Sequence, residues 1–113
     1  MKNNKFEIGL FALNSSSGIA MTKVEERWKA EWDDIEVAAK MSDAAGMDFI
    51  IAVQRWLGFE GATDPAGLTY DSLTFCAALA SLTSKIRLMN QILITCTYKK
   101  QKNQIDRIIQ VLF

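Results

Sequence analysis

Gly46-Met47-Asp48-Phe49-Ile50-Ile51-Ala52-Val53 decides the fold. Glycine closes a helix here as its left-handed cap, and an unbroken apolar run follows. Apolar residues at successive positions mark a strand buried on both faces, the kind found in parallel sheets. Met47 to Val53 is therefore read as a strand that a helix feeds.

The helix before it is expected to be long. Thr22-Lys23-Val24-Glu25 has capping-box spacing, with hydroxyl and carboxylate placed to satisfy each other's amides. Trp28, Trp32, Ile35, Ala39 and Ser42 then form one stripe, read as core or subunit interface. Asp33, Glu36, Lys40 and Asp43 form another, in which Glu36 and Lys40 are a favourable i,i+4 pair. Upstream, Phe6 to Leu13 reads as a first strand, again apolar on both faces, ending in the polar loop Asn14 to Gly18.

Downstream, a glycine-rich loop with the single proline runs from Leu57 to Leu68. A second helix follows from Ser72 to about Leu82, with Thr69 or Asp71 as its N-cap. Its small residues Ala77, Ala78, Ala80 and Ser81 let it lie close to a sheet. Ile86 to about Ile94 is a third strand. Tyr98 onward is read as a last amphipathic helix with Ile105, Ile108, Ile109 and Leu112 on one side.

The order β-α-β-α-β-α requires parallel strands and right-handed crossovers. An open doubly wound sheet and a closed eight-stranded barrel both use it. Neither GxGxxG nor GxxxxGK[ST] occurs, which removes the dinucleotide and P-loop fingerprints and favours the barrel. The predicted fold class is α/β, a partial (β/α)8 TIM barrel of three β/α units with parallel strands.

Composition narrows the function. The 13 basic residues balance 13 acidic ones, so no field of one sign attracts nucleic acid or an anionic membrane. Histidine is absent, which removes the commonest general base and metal ligand. Cys76 and Cys96 lie in apolar runs outside any metal-binding spacing and read as buried free thiols. No secretory signal and no run of ~20 apolar residues is visible, so a cytoplasmic location is expected.

Three runs carry a resemblance. Ile35-Glu36-Val37-Ala38-Ala39-Lys40 to Ala45-Gly46-Met47-Asp48-Phe49 resembles the first helix and second strand of the bacterial luciferase-like, FMN-dependent monooxygenases. Leu73-Thr74-Phe75-Cys76-Ala77-Ala78-Leu79-Ala80-Ser81-Leu82-Thr83-Ser84-Lys85-Ile86-Arg87-Leu88 resembles that family's entry into its third strand, and Ile8-Gly9-Leu10-Phe11 its first. Arg55-Trp56-Leu57-Gly58-Phe59-Glu60-Gly61 resembles the subgroup that includes pyrimidine-cleaving and alkanesulfonate-type enzymes. The resemblance spans about residues 5 to 88. It implies reduced FMN supplied by a separate flavin reductase, dioxygen, and a small organic substrate.

Beyond residue 88 the pattern departs. Residues 1–88 are read as the N-terminal part of such a barrel, and 89–113 as a divergent tail comprising a strand end and a short helix. Loss of the reading frame near residue 89, or a decayed or split gene, accounts for its Lys, Asn, Gln and Ile content; a divergent genuine helix is the alternative. The tail is expected to contribute less stability than residues 6–88.

Barrel active sites lie at the C-terminal ends of strands. Here these are Leu13 to Ser17, Val53 to Trp56 and Ile94 to Thr97. The resemblance places Val53 and Gln54 at a second-strand position that contacts FMN, against a reading as strand-end packing. Asn14, Ser15 and Trp56 are weaker substrate-contact candidates, and Arg55 reads as loop cover. Asp48 reads as a turn or cap residue. No catalytic residue is assigned, because the cofactor carries the oxygen chemistry.

A (β/α)8 barrel takes roughly 250 residues, and three strands do not close one. The chain alone is expected to be inactive and to self-associate. The alternative is a small non-catalytic α/β module that self-associates or complements a split barrel.

Overall fold

A computed structural model describes residues 6–55 and 57–91. The expected tail helix, the strand end from Ile94 to Thr97, Cys96 and Trp56 lie outside the described residues.

The element order is β1 (Gly9–Phe11), a 3-10 turn (Ser16–Ile19), α1 (Trp32–Ala44), β2 (Phe49–Ala52), α2 (Ser72–Ala80) and β3 (Arg87–Asn90). The three strands form one parallel sheet in the order β1-β2-β3. Register rows run Gly9–Phe49–Arg87, Leu10–Ile50–Leu88 and Phe11–Ile51–Met89. This α/β unit is compatible with part of a (β/α)8 barrel.

Both helices serve one face. Ile35 and Ala39 of α1 join Phe75 and Leu79 of α2 in a single buried cluster with Ile50 and Ala52 of β2. Leu10 and Leu88 pack against its edge. Strand side chains alternate, so Phe11, Phe49, Ile51 and Met89 point the other way. Phe11 is 57% exposed and Met89 47%. The expectation that the first strand is buried on both faces is thereby corrected: Phe6, Ile8 and Phe11 are exposed. Gly9 is tightly enclosed on this face, since a Cβ there would collide with the carbonyl and ring of Phe49.

The expected long first helix is corrected too. Thr22 Oγ1 accepts from the amide of Val24 at 3.3 Å, two residues on rather than three, so the capping box does not form. Ala30 has a left-handed φ of 58°, and α1 begins only at Trp32. The intervening segment is tied to the end of the sheet, where the Trp28 indole N–H donates to the Leu13 carbonyl at 3.0 Å. Trp28 still packs against the core as the stripe implied, though not from a helix. Strand β1 stops early because Ala12 has φ 59°.

The end of α1 follows expectation. Gly46 has φ +77°, its amide reaches the Asp43 carbonyl, and the Met47 amide reaches the Ser42 carbonyl at 3.0 Å. These are the paired bonds of a Schellman cap. Asp43 then ties the helix to the third strand. Its carboxylate accepts from the amides of Ser84, Lys85 and Ile86 at 2.9, 2.8 and 2.7 Å. Those amides hold its carboxyl below the usual carboxylate range. Asp71 caps α2, accepting from the Thr74 amide at 2.9 Å and the Thr74 hydroxyl at 2.8 Å.

Candidate functional site

The C-terminal ends of β1 and β2 are joined through Asn14, which is fully buried. Its side-chain amide donates to the carbonyls of Val53 at 2.7 Å and Tyr70 at 2.8 Å. Its Oδ1 accepts from the Val53 amide at 3.0 Å, and its own carbonyl accepts from the Tyr70 amide at 3.0 Å. One side chain therefore acts as a surrogate strand, pairing with both main-chain groups of Val53. A carboxamide can do this because it carries donors and an acceptor on one planar group.

The other candidates gather around this clamp. Ser15 is buried, shares a 2.8 Å hydroxyl hydrogen bond with Thr69, and forms an isolated antiparallel bridge with it. Val53 is 3% exposed. Gln54 is half-buried, and its Oε1 accepts from the Ser72 amide at 2.7 Å, the first residue of α2. Asn14, Ser15, Val53 and Gln54 are thus brought together with Thr69, Tyr70 and Ser72. Arg55 lies 3.7 Å over the Phe59 ring and covers the loop as expected. Asp48, read as a turn or cap residue, instead ties β2 to β1: its carboxylate accepts from the Ile8 amide, 40 positions away, at 3.0 Å.

Tyr70 and Ser72 were not singled out by sequence reasoning. Tyr70 stacks on Phe75 with centroids 6.4 Å apart and meets Trp32 edge-on at 6.1 Å. An aromatic directly before a helix N-cap was the available signal. Ser72 is 1% exposed, and its hydroxyl has no hydrogen-bond partner among the described residues.

Apart from the Asp71 carboxylate, which also takes a hydrogen bond from the Gln54 side chain, this arrangement is uncharged and already hydrogen-bonded. The polar groups of Asn14 and Ser15 and the main chain of Val53 are engaged in holding the strand ends. Gln54 is half-buried, and the buried Ser72 hydroxyl is the side-chain group left unpaired here among the described residues. Among the described residues no cluster of Cys, Asp or Glu is placed to hold a metal. Burial pushes the partly buried Cys76 thiol up, which keeps it protonated and weakly nucleophilic.

Over 82 residues the chain is 28% identical to pyrimidine monooxygenase RutA from Agrobacterium fabrum. The match takes in 73% of this chain and 23% of that protein. The chain is thus similar to a monooxygenase over about a quarter of the relative's length. No family model matches. Among the described residues no helix is long and apolar enough to cross a membrane.

Proposed function

We propose that this chain is the opening part of a flavin-dependent monooxygenase barrel that oxidises a small organic molecule with dioxygen. The similarity to pyrimidine monooxygenase RutA carries this reading. The parallel order β1-β2-β3, with both helices against one face, is compatible with it. In this reading the cofactor is FMN, reduced by a separate cytoplasmic flavin reductase. Gln54 and Ser72 would border it, while Asn14 and Ser15 position the strand ends on which it rests. Residues 1–88 would be the barrel part and 89–113 a divergent tail.

Alone, the chain would be inactive. Purified protein given FMN, NADH and a flavin reductase should show no substrate-dependent oxygen incorporation. Supplied to RutA lacking its own first three strands, it should restore pyrimidine oxidation. Absence of rescue, with both parts soluble and associated, would remove this reading.

The second reading is a non-catalytic α/β module that associates through the sheet. The open apolar face of Phe11, Phe49, Ile51 and Met89 favours it.

A further inference from the structure

We propose that the open face of the sheet is a self-complementary surface whose occupant is a second copy of this chain, packed face to face about a twofold axis parallel to the strands. This deepens the second reading above and rests on it, since in the barrel reading further strands would cover this face.

A twofold axis along β2 leaves strand direction unchanged and exchanges β1 with β3. An isologous contact of this kind requires each residue to meet a partner that meets it back. Phe11 on β1 comes opposite Met89 on β3 of the second copy, a thioether against an aromatic ring. Phe49 and Ile51 on β2 meet their own equivalents on the axis. These pairings follow from the rows Gly9–Phe49–Arg87 and Phe11–Ile51–Met89.

Charge follows the same symmetry. Glu7, beside β1, pairs with Arg87 of β3 at 2.6 Å across the lower edge of the face. Both side chains are about half exposed. Glu7 holds the Arg87 guanidinium above its already high usual pKa. Exchanging β1 with β3 brings Arg87 of the second copy over the Glu7 side, and the reverse. The four charges then alternate in sign. A twofold axis perpendicular to the strands would instead separate the two pairs to opposite ends. The charge pattern thus selects the parallel arrangement as well as the occupant.

Size sets the strength. Three strands, of three, four and four residues, present roughly 14 by 13 Å, below the footprint of a standard stable interface. A dissociation constant on the order of 10–100 µM is expected.

Sedimentation of the full 113-residue chain from about 1 to 200 µM tests this. A monomer–dimer equilibrium is expected. Arg87→Glu should raise the dissociation constant about tenfold or more, and Glu7→Arg with Arg87→Glu should restore it to within about threefold. Circular dichroism confirms that each variant is folded. With Cys76 and Cys96 replaced by serine, Phe11→Cys and Met89→Cys chains mixed together should form a disulfide faster than either alone. A monomer at every concentration would overturn the proposal. So would assembly beyond two chains, or a dimer indifferent to the charge reversal.

Discussion

The two faces of this sheet are both apolar, yet they are held very differently. On one, Ile50 and Ala52 are buried under Ile35, Ala39, Phe75 and Leu79. On the other, Phe11 and Met89 stand half exposed, and Phe49 folds back over Gly9. Alternation alone separates them: neighbours along a strand share a backbone but not an environment. Apolar sequence therefore states a need for cover, and the helices meet that need on one side.

The largest effect belongs to the covered face. Phe75→Ala should cost about 3–5 kcal/mol, against under about 1 kcal/mol for Phe11→Ala on the open face. Urea unfolding monitored by circular dichroism checks both. Equal losses would erase the distinction between the faces.

Asn14→Ala should come next. It leaves the Val53 amide and the carbonyls of Val53 and Tyr70 without their side-chain partner. Stranding buried polar groups costs about 1–3 kcal/mol each where water does not reach them, so a total near 3 kcal/mol is expected. Hydrogen exchange should show the Val53 amide opening early in the variant. Wild-type protection there would mean that the clamp is dispensable.

Asp43 makes a smaller, pH-dependent contribution. Its carboxyl is lowered in the folded protein by three amides, so its stabilisation is present above the ordinary carboxylate value. It is lost as pH falls through the lowered value. Asp43→Asn should be less stable than wild type at neutral pH, and the gap should close on acidification below about pH 4. A gap that stays constant to the lowest pH would assign the effect to shape rather than charge. Smallest of all, Met89→Ser should change monomer stability by no more than about 0.5 kcal/mol. Unfolding at concentrations well below dimer formation measures it.

Legibility in the sequence followed the range of the interaction. Gly46 announces its cap and Asp71 its helix within three or four residues, and both elements stand where local chemistry puts them. The parallel direction of the strands follows from the alternation of elements, while their order does not, since an open doubly wound sheet has the same alternation. Thr22 to Glu25 misled because the competing contact is not local: the Trp28 indole reaches back to Leu13 and holds the segment out of a helix. Asn14 was legible as a strand-end polar residue but not as a clamp, since its partners lie 39 and 56 positions away. The unpaired hydroxyl of Ser72 gives no sign in the sequence, where it reads as an ordinary first-turn serine.

The most direct test of the flavin reading is FMN binding, followed by flavin fluorescence, in a mixture of this chain with RutA lacking its first three strands. FMN should bind the mixture but neither part alone, and Gln54→Ala should weaken it. A mixture that associates and folds yet leaves FMN free in solution would contradict the account.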